Sequence, residues 1–295
     1  MKKYRLPALL AFTLAGTHAN AQSTAYQKEI ETWHARRIQN LKADNGWLNL
    51  VGLYWLDEGQ NSFGSGSQNK IVFPAGTIPG AAGYFERKGN TVKVVTTNNV
   101  TLQIAGKAVT EAIIFGKDST PPPVVSYGSL KWTIIKRDDK IGIRLRDLKS
   151  PLAANFKDID RFPVDTAWTL PATLRSDDQP HGIAITNILG QTNEQKSPGK
   201  LVFTVNGQQY TLDALEEGNE LFIIFGDATS GVSTYPSGRF LSVKKPDANG
   251  RTTIDFNKAY NPPCAFTPYA TCPLPPRQNI LPVAITAGEK NYGHH

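Results

Sequence analysis

The sequence predicts a mainly β protein: an N-terminal helix, a β-sandwich, and then a second antiparallel β domain. Many short apolar segments recur between turns rich in Gly, Asn, Asp and Pro, which is typical of sandwiches and barrels. Apolar residues at helical spacing occur near the N-terminus, in residues 23–45. Residues 255–289 hold so many prolines that helix and central strand are excluded there. A chain of 295 residues is long enough for one large or two modest domains.

Residues 1–21 are predicted to be a signal peptide. They combine three basic residues in the first five positions, an apolar run over residues 6–14 and the small-x-small site Ala19-Asn20-Ala21. The apolar run is too short to span a bilayer, and no later segment approaches the length of about 20 residues that would. The signal contains no cysteine for a lipid anchor. We therefore expect a soluble periplasmic or secreted protein that begins at Gln22.

Charge and motifs exclude several classes of function. Cleavage of the signal would remove three basic residues from the 32, leaving 29 against 25 acidic ones, a net charge of +4. The chain has no dense Lys/Arg run, so no nucleic-acid partner is expected. It lacks the nucleophile elbow, the zinc-protease motif and the phosphate- and dinucleotide-binding loops, so neither a metal nor a cofactor is predicted.

The first predicted element of the exported chain is a helix within residues 22–45. Ile30, Trp33, Ile38 and Leu41 recur at helical spacing, and Asn45-Gly46 provides a stop. His34 has no ligand or base partner nearby in sequence, so we expect a surface or half-buried histidine without a chemical role.

The first β domain is predicted over residues 46–150, with strands that include 90–96, 100–104, 109–114, 131–135 and 140–146. Its opening text, GQNSFG at 59–64 followed by NKIVFP at 69–74, resembles a forkhead-associated domain. The resemblance implies a forkhead-associated-like β-sandwich. True members grip phosphothreonine with an Arg and a Ser, but Ser65 stands where the Arg is expected. No Ser-x-x-His occurs in residues 79–84, so no phosphothreonine-peptide partner is expected.

Arg144 and Arg146 alternate with Ile143 and Leu145, which places both guanidinium groups on one face of a strand. Planar forks suit carboxylate or phosphate, so the pair is a candidate anion clamp. A solvated strand face is the alternative, and Asp147 could neutralise one of the arginines.

The second β domain is predicted over residues 151–293. Its strands are expected at 166–174, 182–188, 200–205, 208–213, 220–225, 239–244 and 252–256. Asn206-Gly207 predicts a hairpin, because this pair suits the positive φ values of a type I′ turn. His181 follows a turn sequence and is expected at the surface.

The proline-rich stretch carries a family resemblance. AYNPPCAFTPYATCPLPP at 259–276, Asn279, and AGEK at 287–290 resemble the C-terminal signature of the bacterial family catalogued as domain of unknown function 1684. Three upstream pieces resemble the same family, at residues 46–56, 143–147 and 238–241. The resemblance covers nearly all of the exported chain but implies no particular reaction.

A candidate site is predicted where polar residues at strand ends of the second domain meet Arg144 and Arg146 of the first domain. Proposed catalytic residues are Asp227, Asp255 and Tyr260, and proposed ligand-binding residues are Arg144, Arg146, Arg239, Asn257 and Asn261. We expect at least four of these eight side chains to line one cavity. The structural alternative is that Asx side chains and the tyrosine hydroxyl satisfy the backbone of an irregular loop.

Cys264 and Cys272 enclose seven residues. Export favours a disulfide between them. The alternative is a nucleophilic or redox thiol at Cys264, which would need its pKa lowered by a nearby base or by a cation such as Arg144, Arg146 or Arg239.

Two functions follow from these observations. The first is an exported enzyme or binding protein for a small polar or anionic ligand; a hydrolase is the expected enzyme type, since no redox-cofactor motif is present. The alternative is a non-catalytic envelope protein that serves interaction or structure.

Overall fold

The computed structural model describes residues 13–117, 121–176 and 181–293, with side chains from Thr24 onward except that of His181. This part of the chain is mainly β, with an N-terminal helix and antiparallel sheets, which confirms the predicted fold class. Most of the predicted signal peptide, including residues 1–12, lies outside what is described, as does the side chain of His181. No helix in the described part of the chain is both long and apolar enough to cross a membrane.

Helix α1 spans Thr13–Lys42 and therefore starts well before the predicted position. Its buried face includes Ile30 and Leu41, each 1% exposed, as the periodicity predicted. His34 lies on the same face and is 6% exposed, so the expectation of a surface or half-buried histidine was wrong. The reason is helical geometry, because His34 follows Ile30 by four residues.

The chain divides into two compact units. The C-terminal unit comprises the residues up to Ile38, then Ile159–Pro262, then the chain from Pro273 onward; the N-terminal unit comprises Gln39–Asp158 and Pro263–Cys272. Part of the proline-rich stretch thus belongs to the N-terminal unit. There the Thr267 hydroxyl donates to the Leu50 carbonyl at 3.2 Å.

The N-terminal unit is built from two sheets around one core. Leu145, Trp132, Phe63 and Phe85 are among its fully buried side chains, and Phe63 stacks on Phe85 at 4.5 Å between ring centroids. One sheet has the order β1-β11-β10-β9-β6-β7 and the other β3-β2-β4-β5-β8. The strands are β1 (Leu50–Trp55), β2 (Gly59–Gly64), β3 (Ile71–Val72), β4 (Gly83–Lys88), β5 (Thr91–Thr96), β6 (Leu102–Ile104), β7 (Lys107–Val109), β8 (Glu111–Phe115), β9 (Val125–Tyr127), β10 (Leu130–Arg137) and β11 (Lys140–Asp147), followed by the short helix α2 (Pro151–Asn155).

The loop after β2 is closed by its own side chains. The Ser65 hydroxyl donates to the Ile78 carbonyl at 2.6 Å, and the Asn69 amide donates to the carbonyls of Gly66 and Gly80. Ser65 is thus already engaged by the backbone. The absence of phosphothreonine binding stays a prediction.

The C-terminal unit contains a six-stranded sheet of order β18-β17-β16-β15-β12-β19 and a two-stranded sheet of β13 and β14. Phe225, Phe256, Leu241 and Ile254 lie in its core. The strands are β12 (Thr169–Arg175), β13 (His181–Thr186), β14 (Thr192–Ser197), β15 (Gly199–Val205), β16 (Gln208–Glu217), β17 (Glu220–Phe225), β18 (Arg239–Lys244) and β19 (Arg251–Asp255).

The hairpin between β15 and β16 has the predicted turn. Asn206 and Gly207 have φ values of 50° and 78°, so both occupy the left-handed region that a type I′ turn requires. Strand β14 was not predicted, because its residues TNEQKS are polar throughout and five of the six are exposed.

Candidate functional site

A cleft of about 740 Å³ opens in the C-terminal unit. Helix α1 forms one wall, and strands β12, β17, β18 and β19 with the turn after β19 form the others. The lining residues are Tyr26, Glu29, Trp33, Thr169, Glu220, Ser242, Lys244, Lys245, Asp247, Arg251, Thr252, Thr253, Asp255, Lys258 and Tyr260. The cleft is polar and is lined by charges of both signs.

A hydrogen-bond network around Tyr26 forms one side of this cleft. The Tyr26 hydroxyl donates to Asp255 Oδ1 at 2.7 Å, lies 2.7 Å from Thr169 Oγ1 and accepts from Asn257 Nδ2 at 2.9 Å. Burial, together with the adjacent Asp255 carboxylate, raises the pKa of Tyr26 well above its ordinary value, although the bonds to Thr169 and Asn257 oppose the rise. Tyr26 therefore stays protonated and ties helix α1 to the end of β19.

Asp255 also shapes the turn that follows it. Its Oδ1 accepts from the backbone N–H of Asn257 at 3.2 Å, which caps the single 3₁₀ turn Phe256–Lys258. Lys258 at the end of that turn reaches back to Asp255 Oδ2 at 3.3 Å and to Glu29 Oε1 at 2.7 Å. One cation thus pairs with two carboxylates of the cleft and offsets the charge of one of them.

Three further cations line the cleft: Lys244, Lys245 and Arg251. None of them has a carboxylate oxygen within 4.0 Å among the residues described. Asp247 also lines the cleft, but its Oδ1 accepts hydrogen bonds from the backbone N–H groups of Arg251 and Asn249, which lower the pKa of Asp247. We call Lys244, Lys245 and Arg251 the rim cations of the cleft. Their side chains are available to bind an anion.

Tyr260 packs into the cleft wall through its ring. The ring meets Phe240 edge-on at 5.9 Å, and the Arg37 guanidinium lies 4.7 Å from its centroid. Burial raises the pKa of Tyr260 from its ordinary value of 10.0 to about 12. The Tyr260 hydroxyl is therefore a poor acid. The contribution of Tyr260 to the cleft wall is the packing of its ring.

We expect the free energy of unfolding of the Tyr260→Phe variant to fall less with rising alkaline pH than that of the unsubstituted protein. Folded Tyr260 keeps its proton up to a pKa of about 12 whereas the unfolded chain loses it near 10.0, so the folded state binds more protons in this window. Stability must then fall as the pH rises from 10 to 12. Urea denaturation at several pH values would measure this, with Tyr269→Phe, an exposed tyrosine at 37%, as the control. Equal slopes for Tyr260→Phe and the unsubstituted protein would contradict the assignment.

Arg239 and Asp227 form a buried ion pair away from the cleft lining. Arg239 donates to Asp227 Oδ2 at 2.8 Å, and both side chains are 0% exposed. Arg239 also donates to the carbonyls of Ala287 and Ile285. The other oxygen of Asp227 accepts from the backbone N–H of Ile285 at 3.2 Å. The pair fastens the C-terminal segment to β18.

Asn261 forms a second set of hydrogen bonds that hold the C-terminal segment in place. Its backbone N–H donates to Glu289 Oε2 at 2.6 Å, and its side-chain amide donates to the Lys290 carbonyl at 2.7 Å. Arg37 of helix α1 donates to Glu289 Oε1 at 3.2 Å and to the Asn261 carbonyl at 2.8 Å. These contacts match the structural alternative, in which polar side chains satisfy an irregular backbone.

Arg144 and Arg146 belong to the N-terminal unit, where they lie on β11. The Arg144 guanidinium lies 5.3 Å from the centre of the Trp47 ring, and Arg146 donates to the Gly46 carbonyl at 3.4 Å. Burial lowers the pKa of both arginines, that of Arg144 to about 10.

Cys264 and Cys272 also lie in the N-terminal unit, and both are free thiols. The predicted disulfide is therefore not seen. Each cysteine instead donates its backbone N–H to the sulfur of the other, at 3.0 Å and 3.3 Å.

Of the eight predicted site residues, Asp255 and Tyr260 line the cleft and Asn257 supports Asp255 from behind. The prediction that at least four would line one cavity is not met by this cleft. Sequence reasoning missed Tyr26 and Lys258. The spacing Tyr26, Ile30, Trp33 was a usable indication, since it places the tyrosine on the packed face of α1. Within the described residues, no group of three or more His, Cys, Asp or Glu side chains is placed to hold a metal ion.

Comparison with known proteins gives a family match and similarity to solved structures. Residues 154–290 match the model of the family described as "Protein of unknown function (DUF1684)". No curated protein matches the chain. The solution NMR structure of the uncharacterized protein from gene locus rrnAC0354 of Haloarcula marismortui is 29% identical, with 48% of this chain and 80% of that chain covered and a TM-score of 0.41. The motif at 238–241 and the whole C-terminal signature fall inside the family match, whereas the motifs at 46–56 and 143–147 precede it.

Proposed function

The chain belongs to the DUF1684 family through residues 154–290, and we propose that its C-terminal unit binds a small polar ligand that carries an anionic group. The observation that carries this proposal is the charge arrangement of the cleft. Lys258 forms ion pairs with both Glu29 and Asp255, while Lys244, Lys245 and Arg251 have no carboxylate within 4.0 Å among the described residues.

The chemistry of the lining fits such a ligand. A carboxylate or phosphate would accept hydrogen bonds from the three rim cations, which are stronger than bonds between neutral groups. The rest of the ligand would meet hydroxyl groups and the aromatic side chains of Trp33 and Tyr260. Small-molecule sites commonly combine aromatic walls with a few placed polar groups.

Binding is favoured over hydrolysis. A general base must reach the proton that it removes, either directly or through one water. Asp255 Oδ1 already accepts from Tyr26 and from both nitrogens of Asn257, and Oδ2 faces Lys258. The other carboxylate proposed for catalysis, Asp227, is wholly buried in its ion pair with Arg239. The alternative of an envelope protein with a structural role is supported by that ion pair and by the fastening of Glu289.

We expect the cleft to bind small anions such as phosphate and citrate through its rim. Replacing Lys244, Lys245 and Arg251 together by alanine should weaken the binding of citrate about tenfold or more, which is about 1.4 kcal/mol or more. Calorimetric titration would measure this. A matched triple variant, Lys107→Ala, Lys136→Ala and Lys140→Ala, removes the same charge from exposed positions of the N-terminal unit. Equal weakening in both variants would indicate nonspecific attraction, and undetectable binding to the unsubstituted protein would reject the proposal for these anions.

The proposal includes export. The basic start, apolar run and small-x-small site of residues 1–21 support cleavage after Ala21. Tyr26 would stay on the exported chain, so the cleft would keep its wall. We expect N-terminal sequencing of the exported protein to begin at Gln22. Recovery of chains that retain Met1 in the membrane fraction would contradict this.

A further inference from the structure

The loop that contains Cys264 and Cys272 holds two thiols against each other. The backbone N–H of Cys264 donates to Cys272 Sγ at 3.0 Å, and that of Cys272 donates to Cys264 Sγ at 3.3 Å. An N–H donor stabilises a sulfur that carries negative charge more than a neutral thiol. The backbone of this loop is thus arranged to receive a thiolate at either position.

The two thiols differ in exposure. Cys264 is half-buried whereas Cys272 is 5% exposed. The hydrogen bond between the thiols lowers the pKa of Cys264, and the same bond together with burial raises the pKa of Cys272. Cys264 is therefore the accessible and more acidic thiol, and Cys272 is the protected one.

Arg144 on β11 belongs to the same unit as the cysteine pair, and its charge acts on Cys272. The charge of Arg144 opposes the rise in the pKa of Cys272, after the larger effects of Cys264 and of burial. Arg144 Nε is buried and has no hydrogen-bond partner among the described residues. A positive charge that favours the Cys272 thiolate would help the resolving step, in which Cys272 must lose its proton.

The loop keeps its place without a covalent bridge. Thr267 is bonded to the Leu50 carbonyl, and the ring of Phe266 meets that of Phe156 at 6.2 Å. Helix α2 ends at the residue before Phe156, so the loop is fastened to two separate elements. The cysteine pair is thus free to change its bonding while its surroundings stay fixed.

We propose that Cys264 and Cys272 form a thiol–disulfide exchange site for small anionic disulfides, with Cys264 as the attacking thiol, Cys272 as the resolving thiol and Arg144 as the cation that favours the Cys272 thiolate. This proposal is independent of ligand binding in the C-terminal unit.

The exchange balances with the disulfide as the oxidant. The Cys264 thiolate attacks one sulfur of R–S–S–R, forming a Cys264–S–R bond and releasing R–S⁻, which takes up a proton. Cys272 then loses its proton and attacks Cys264 Sγ, which forms the Cys264–Cys272 bond and expels the second R–S⁻. The protein dithiol is oxidised by two electrons, and the small disulfide is reduced to two thiols.

The full chain incubated with graded ratios of oxidised to reduced glutathione tests the proposal. We expect both thiols to be free in reduced glutathione. In oxidised glutathione we expect both to form one disulfide, which lowers the mass of the protein by that of two hydrogen atoms. Thiols that remain free in oxidised glutathione alone would overturn the proposal. A disulfide that persists in excess reduced glutathione would overturn it as well, because it would be a structural bridge.

Two variants distinguish the attacking thiol from the resolving thiol. Cys272→Ser should accumulate a mixed disulfide between glutathione and Cys264. Cys264→Ser should react with oxidised glutathione about tenfold more slowly than Cys272→Ser does. If either variant misfolds, iodoacetamide labelling of the unsubstituted protein decides, since Cys264 should be labelled first. Labelling of Cys272 first would overturn the assignment.

The anionic class of the disulfide has its own test. Oxidised glutathione should react faster than the cationic disulfide cystamine, and Arg144→Gln should remove most of that preference, with Arg175→Gln in the other unit as the control. An equal preference in Arg144→Gln and the unsubstituted protein would overturn the role given to Arg144.

Discussion

Arg239→Gln is expected to destabilise the C-terminal unit by about 3–5 kcal/mol, the usual cost of breaking a buried ion pair from one side. Arg239 is 0% exposed and is paired with Asp227, whose side chain is equally buried. The variant would leave the Asp227 carboxylate uncompensated in the interior. It would also leave the carbonyls of Ala287 and Ile285 without their donor.

Amide hydrogen exchange of β17 and β18 would measure this loss, because the slowest amides of a unit report its free energy of unfolding. Arg277→Gln is the matched control, since Arg277 is exposed in the same C-terminal segment. Asp227→Asn should be destabilising too, and the double variant less so than the sum of the two single changes. A change in Arg239→Gln no larger than that in Arg277→Gln would refute the structural role.

The strand pattern of the chain could be predicted because it depends on local periodicity and turn chemistry. The hairpin at Asn206-Gly207 and the buried segments at 220–225 and 239–244 are examples. Strand β14 could not, since pairing with β13 leaves it almost wholly exposed and no apolar alternation marks it.

Part of the site was also predictable. Asp255, Asn257 and Tyr260 were proposed from their position at a strand end, and the structure places them at or behind the cleft. Arg239 and Asp227 illustrate the limit, since arginine is usually exposed and its burial depends on carbonyl groups some 46 to 48 residues later in the chain. The rim cations could not be found either, because they are distinguished by having no carboxylate within 4.0 Å among the described residues, and the sequence does not show such distances.

Glu289→Ala is expected to cost the C-terminal unit about 3–5 kcal/mol as well, because it removes a fully buried carboxylate from between its partners. The backbone N–H of Asn261 would lose an acceptor at 2.6 Å, and Arg37, only 15% exposed, would lose its carboxylate. Since Arg37 lies on α1, the helix should exchange its amide protons faster in this variant.

Glu216→Ala, an exposed change on β16, is the control for this effect. Glu289→Gln should be milder, because the amide oxygen can still accept from Asn261 and only the charge pairing with Arg37 is lost. A double-mutant cycle with Arg37→Ala should give a coupling energy of about 1–3 kcal/mol. Additive effects would mean that Glu289 stabilises only the backbone at Asn261 and not helix α1. Coupling would show that this carboxylate joins the N-terminal helix, and with it the Tyr26 wall of the cleft, to the C-terminal segment.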